Sequence, residues 1–224
     1  MDGLLLIDKP SGWTSFDVVA KVRSLLKQTG VTKPKVGHTG TLDPLATGLL
    51  VLVVGSYTKR AGEFSKLDKT YEVTMKLGQT STTGDEEGEK STVNSKQSTV
   101  DEIKAVFKEF EGEIMQKPPQ FSAIKVGGQR AYKLARKGQK VELEPRKVTI
   151  HSLKLTDFSY PEAKFTAEVS SGTYIRSLVE DIGAQLGTGA YMSALRRTKV
   201  GPFKIENAQQ IEKLDTSRLL TKWA

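Results

Sequence analysis

Two periods of apolar residues organise this chain. Residues 4–7 form a short unbroken apolar run, as in a buried strand, and Lys9-Pro10-Ser11-Gly12 follows as a turn built on proline and glycine. Residues 14–17 carry a capping pattern, and Phe16, Val19, Val22, Leu25 and Leu26 keep helical spacing up to a stop at Gly30. Residues 49–54 are continuously aliphatic, the signature of a strand covered on both faces. Residues 71–77 alternate instead, which places Tyr71, Val73, Met75 and Leu77 on one side of a half-buried strand. The stretch 80–97 is polar, has no apolar period and reads as a surface loop. A capping box at residues 99–102 opens a second helix using Val100, Ile103, Phe107 and Phe110. Strand-like runs return over 148–158 and 163–169, and residues 173–186 give a helix with Ile175, Leu178, Val179, Ile182 and Leu186 on one stripe. Helices and strands are interspersed without a βαβ rhythm, which points to an α+β fold, a mixed sheet carrying helices, rather than a doubly wound parallel one.

Composition narrows the class. At 224 residues, 37% of them hydrophobic and 27% charged, the chain has the balance of a soluble globular protein. The longest wholly apolar run is residues 49–54, far short of the roughly 20 residues a bilayer span needs. The N-terminal apolar run is shorter than a signal-peptide core and lacks a basic leader, so we expect a cytoplasmic protein without membrane association. The absence of cysteine excludes disulfides and thiolate chemistry, and the two histidines, His38 and His151, are too few for a His-rich metal centre. With 34 basic and 26 acidic residues the net charge is +8, which favours a polyanionic partner. The charge is uneven: residues 116–147 hold nine Lys/Arg, Lys125, Arg130, Lys133 and Arg136 among them, against Glu142 and Glu144. With Phe121 and Tyr132 interleaved, this window reads as an RNA-contacting insertion, and its Gly127-Gly128 centre suggests mobility. A solvated basic face is the alternative.

The candidate chemistry lies in GHTGTLDPLATG, residues 37–48, where three glycines, three threonines and a proline surround the single carboxylate of Asp43. Proline restricts the backbone of the residue before it, the glycines permit tight turns and close approach of a ligand, and the threonine hydroxyls can bond backbone groups locally. Such a loop can hold one carboxylate at the floor of a cleft. Asp-Pro is also a good turn or helix-start pair, and the loop alone leaves that alternative open. There is no Gly-Lys-Ser/Thr ending for a phosphate-binding loop and no Gly-x-Ser-x-Gly elbow for a serine hydrolase.

The loop, together with GLLLIDKPSGWTS, DKTYEVTMKLGQTSTTGD, KPPQFSAIKVGGQRAYKLAR and SSGTYIRSLVEDIG, resembles the TruB-type tRNA pseudouridine synthases over residues 3–203. The resemblance implies the pseudouridine synthase catalytic fold, with a largely antiparallel central sheet and flanking helices. It implies isomerisation of uridine to pseudouridine at tRNA position 55, in the T arm, without cofactor or metal. It makes Asp43 the catalytic aspartate, Arg176 the arginine that pairs with it, and Tyr71 the residue that stacks on the uracil and helps remove the C5 proton. Tyr174 and Leu195 line the uridine pocket, His38 accompanies nucleotide flipping, and Lys9 and Pro10 support the loop. An Arg176–Glu180 helix pair and a core position for Leu195 are the structural alternatives. Few residues follow Phe203, so we expect one catalytic domain over 1–224 acting as a monomer. The family's C-terminal PUA-type domain would be absent or reduced to a remnant helix over 208–220. An RNA-binding module with incidental catalysis, or a same-family synthase aimed at another RNA, are the competing functions.

Overall fold

A computed structural model describes residues 1–120, 122, 124–131, 134, 139 and 142–221. Its strands are β1 (Gly3–Lys9), β2 (Val36–His38), β3 (Thr47–Val54), β4 (Lys69–Leu77), β5 (Gln79–Ser81), β6 (Lys90–Thr92), β7 (Gly112–Gln116), β8 (Lys125–Val126), β9 (Gln129–Arg130), β10 (Arg146–Ser159), β11 (Glu162–Val169), β12 (Ala190–Val200), β13 (Phe203–Lys204) and β14 (Gln209–Gln210). Its helices are α1 (Ser15–Gln28), α2 (Ala61–Ser65), α3 (Val100–Phe110) and α4 (Ile175–Gln185). None of the described helices is long and apolar enough to cross a membrane. The chain forms two compact units, Met1–Glu72 with Leu195–Ala224, and Val73–Ala194.

The first unit is built round β3. Its neighbour β1 pairs with it antiparallel from Gly3↔Val54 to Lys9↔Gly48, β2 pairs antiparallel at the Val54 end, and β12 pairs parallel at Thr47 and Gly48. Both faces are covered. Leu5, Ile7, Leu50, Leu52 and Val54 pack with Val18, Val19, Val22 and Leu26 of α1, while Leu4, Leu6, Leu49, Val51 and Val53 pack with Phe64, Val200 and Phe203. That double cover is why residues 4–7 and 49–54 run apolar without a break rather than alternating. Helix α1 starts with the expected capping box between Thr14 and Asp17. Its buried stripe is Val18, Val19, Val22 and Leu26, however, and Phe16 is 62% exposed. Phe16 lies about 105° round the helix from the centre of that stripe, too far to reach the strands, and the Arg23 guanidinium lies over its ring at 5.8 Å.

The C-terminal segment departs from expectation. In place of a helix over 208–220 the chain makes 3-10 turns at Ile205–Asn207 and Ile211–Lys213 on either side of β14, which adds parallel to β1. Leu4 and Leu220 also bridge through both backbone pairs. The open edge of β1 offers backbone donors and acceptors that an extended segment satisfies and a helix would not.

In the second unit β4, β11, β10 and β7 lie side by side in that order, and the β10–β11 and β10–β7 pairs are antiparallel. Helices α3 and α4 supply Ile103, Val106, Phe107, Leu178, Val179 and Ile182 to its core, where the Phe107 and Phe165 rings meet at 5.0 Å. The polar stretch after β4 is not a plain surface loop. It folds as a β5–β6 hairpin whose turn buries Ser81 and Asp85. In the basic window, β8 and β9 form a short hairpin across Gly127 and Gly128, both with positive φ, as a two-residue reversal of this hand requires. Behind it Ala131 and Leu143 are buried against Ile124, Val126 and Leu134.

Candidate active site

The loop after His38 is fixed from below by side chains of three other elements. Lys9, with no exposed surface, ends β1 and donates from Nζ to the carbonyls of Pro10 (2.9 Å), Trp13 (2.6 Å) and Pro44 (3.4 Å). It therefore joins the proline-glycine turn to the residue following Asp43. Gly12 N–H adds a bond to the same Pro44 carbonyl at 2.9 Å. The hydroxyl of Ser15, the first residue of α1, donates to Leu42 O (3.0 Å) and accepts from Leu42 N–H (2.8 Å). From β12, the buried Arg197 donates to Leu49 O (2.8 Å), Gly40 O (3.1 Å) and Thr41 O (3.4 Å). Every one of these contacts goes to backbone, so they hold the path of the loop that carries the half-buried Asp43.

Burial pushes the Lys9 ammonium down to about 8; the carboxylate of Asp43 opposes that shift and the charge of Arg197 adds to it. Lys69, just before Tyr71, is buried likewise and pushed down to about 8, and donates to Ser65 O. Gly48 explains one of the loop's glycines. Its φ is +99° and a Cβ there would lie 2.3 Å from the Arg197 carbonyl, so the parallel β3–β12 contact needs glycine.

Of the sequence-predicted residues, His38, Asp43, Tyr71 and Leu195 belong to the first unit. His38 closes β2, immediately ahead of the loop. Leu195 lies at the loop's other end, where its carbonyl accepts from Thr47 Oγ1 at 3.5 Å. It is half-buried rather than core. Tyr71 is 8% exposed in β4, and its neighbour Thr70 accepts through its carbonyl from Thr198 Oγ1, one residue along β12 from Arg197.

Tyr174 and Arg176 belong to the second unit. Tyr174 is the residue ahead of α4, clamped through its backbone by Gln116, whose side-chain amide accepts from Tyr174 N–H (2.8 Å) and donates to Tyr174 O (3.0 Å). Arg176, 8% exposed, donates to Asp85 Oδ2 at 3.2 Å and to Thr83 O at 3.3 Å. Asp85 in turn accepts from Thr83 Oγ1 (2.5 Å) and Glu87 N–H (3.1 Å). Arg176 thus has a buried carboxylate from the β5–β6 turn as a partner, a contact the i,i+4 reading with Glu180 does not contain.

Of the four residues the sequence suggests as RNA contacts, Lys125 and Arg130 pair across the β8–β9 hairpin. Lys133 and Arg136, like Phe121 and Tyr132, lie outside the described residues. Sequence reasoning missed Ser15, Gln116, Arg197 and Asp85. None of them carried a local signal, because each acts on a partner far away in the sequence.

Comparison with known proteins agrees with this architecture. The family model "TruB family pseudouridylate synthase (N terminal domain)" matches residues 23–175, and "tRNA pseudouridylate synthase B C-terminal domain" matches residues 176–222. The chain is 48% identical over 219 residues to tRNA pseudouridine synthase B of Aquifex aeolicus, covering 97% of this chain and 75% of that protein. To its counterpart in Thermobifida fusca it is 47% identical over 223 residues, with 95% and 74% covered. Among solved structures, a chain of a Cbf5-Nop10-Gar1 complex superposes with a TM-score of 0.74 at 33% identity, covering 95% of this chain and 53% of that one. A chain of an H/ACA RNP bound to a substrate RNA containing 2'-deoxyuridine gives 0.70 at 30% identity, with 95% and 52% covered. This chain therefore spans about half the length of those two. These relatives define the class as RNA pseudouridine synthases, isomerases that modify RNA. The chain belongs to the TruB family of pseudouridylate synthases.

Proposed function

We propose that this chain converts uridine to pseudouridine at position 55 of tRNA, in the T arm, with Asp43 as the reacting carboxylate. The observation that carries this reading is the triple hold on the Asp43 loop by Lys9, Ser15 and Arg197, all directed at backbone. A loop so constrained presents its carboxylate in a fixed direction, and positioning is what a reaction without an external reagent depends on. The reaction breaks the N1–C1′ bond, turns the uracil within the site, joins C5 to C1′, loses the C5 proton and takes up a proton at the freed N1, so that the product is an isomer of the substrate. A carboxylate can assist by attack on the sugar, by attack on the base or by removing a ribose proton.

Tyr71 is assigned to the face of the uracil and to loss of the C5 proton, Arg176 to the charge balance of the catalytic step, and Tyr174 and Leu195 to the walls that hold the nucleoside. His38 is assigned to the flip: a base in a folded RNA arm must leave its stack before reaction, at a cost of a few kcal/mol offset by stacking and polar contacts in the pocket. The basic window, through Lys125, Arg130, Lys133 and Arg136, contacts phosphates. We assign the action to a monomer in the cytoplasm, with residues 1–224 as its catalytic domain. Incubation with a full tRNA transcript, followed by base-resolution mapping of pseudouridine, tests the assignment. A single new pseudouridine at position 55, absent when that position is cytidine, is expected; modification only elsewhere would contradict it.

A further inference from the structure

Away from the loop, the first unit has a hollow of about 390 Å³ lined by Leu26, Val31, Lys33, Lys35, Val54 and Lys59, with Asp2 at its rim. The three ammonium groups are exposed, and none of them has a carboxylate partner among the described residues. The lining holds one acid, Asp2, which accepts from Ser56 N–H; that bond holds its carboxyl below the usual range, so it stays ionised and the three lysines outnumber it. Arg60, next to Lys59 in sequence, is taken up by Glu63 at 2.8 Å and does not offset this imbalance. The floor is rigid. Gly55 N–H donates to Lys35 O at 2.8 Å, and a Cβ at Gly55 would lie 2.4 Å from Met1 O, so the chain passes here at closest approach. The hollow is therefore a preformed concave surface with three cations against one carboxylate over an apolar base.

We infer that this hollow is a second phosphate-binding surface for the RNA substrate, separate from both the Asp43 loop and the basic window. The β2–β3 pair fixes its place: the loop joins the two strands at Thr47, and the hollow lies at their other end, at Val36 and Val54. Eight strand residues separate the two ends, a span of about 23 Å. A short oligonucleotide centred on the reacting uridine would not bridge that distance compactly, whereas a folded tRNA presents backbone that far from its T loop. Ammonium groups on flexible stems fit phosphodiester oxygens, which need no bidentate geometry, and read no sequence. This inference rests on the tRNA reading above.

The test uses the whole chain and a tRNA transcript. Lys33→Gln/Lys35→Gln/Lys59→Gln should weaken tRNA binding about tenfold near 100 mM salt and reduce the slope of log K against log salt by about 2. The triple Arg replacement at the same positions should restore both. Lys104→Gln/Lys108→Gln/Lys154→Gln removes the same charge from the second unit and should change neither. Equal losses in the two Gln triples would overturn the inference, because overall charge would then be responsible. So would an unchanged affinity and slope in the first, or stabilisation of the wild type by inorganic phosphate that the first triple abolishes while its tRNA binding stays intact. Should the wild type bind tRNA through these lysines yet form no pseudouridine, the surface stands and the assigned reaction fails.

Discussion

Asp85 in the second unit and Lys9 in the first are residues at which buried electrostatics can be tested one atom at a time. Replacing Asp85 by Asn keeps the shape of the turn but leaves the buried guanidinium of Arg176 facing a neutral amide where it had a carboxylate at 3.2 Å. Breaking a buried pair in this way costs about 3–5 kcal/mol, so Asp85→Asn should lower the unfolding free energy by that order in urea titration and slow pseudouridine formation as well. Lys9 behaves in the opposite sense to a stabilised ion. Its native value is about 8 against an ordinary 10.5, so the folded protein gives up this proton before the unfolded chain does. Lys9's contribution to stability accordingly rises with pH between those two values. The unfolding free energy of wild type relative to Lys9→Met should increase over that interval and be flat below it. Asp43 stood out as the single carboxylate of its loop, but loop composition left a plain turn open and only the family resemblance assigned it chemistry. Asp85 did not stand out, because a buried carboxylate in a polar, aperiodic stretch looks like any solvated loop until its cation, 91 positions away, is known.

At the scale of elements, local chemistry carried most of the reading. Both capping boxes, at Thr14 and Thr99, close as expected with their partners Asp17 and Glu102. Thr14→Ala should destabilise the protein by about 1 kcal/mol, measurable as a shift of the denaturation midpoint without a change in slope. Because Ser15 follows directly and grips Leu42, catalysis should fall more than so small a loss of stability explains. Gly48→Ala tests the strand contact rather than the helix. With a Cβ 2.3 Å from a main-chain carbonyl on β12, the strands must part, and a loss of more than about 2 kcal/mol is expected. What local patterns could not supply was the competition between elements. Residues 208–220 have enough apolar residues to suggest a helix, yet β1's unpaired edge draws Gln209 and Gln210 into a strand. Phe16 keeps helical spacing with Val19 but faces solvent, because the strand surface that receives α1 is only one stripe wide.

For the molecule as a whole, the excess of eight positive charges and its clustering predict an association dominated by phosphates. Affinity for tRNA should fall steeply between 50 and 200 mM salt, by about 10³-fold or more if six phosphates are contacted, while DNA of equal length competes only weakly at the upper end. Charge distribution was readable from the sequence in the 116–147 window, where nine Lys/Arg stand against two Glu. It was not readable at Lys33, Lys35 and Lys59, which only the pairing of β2 with β3 brings together. The central claim is that one carboxylate, aimed by a loop held through its backbone, breaks and remakes the glycosidic bond. Release of tritium from tRNA labelled at uracil C5 tests it most directly, with wild type and Asp43→Asn compared at equal folded concentration. The account predicts release by the wild type and a loss of about 10⁴-fold or more in the variant, with tRNA binding retained; release by Asp43→Asn at a rate near that of the wild type would contradict it.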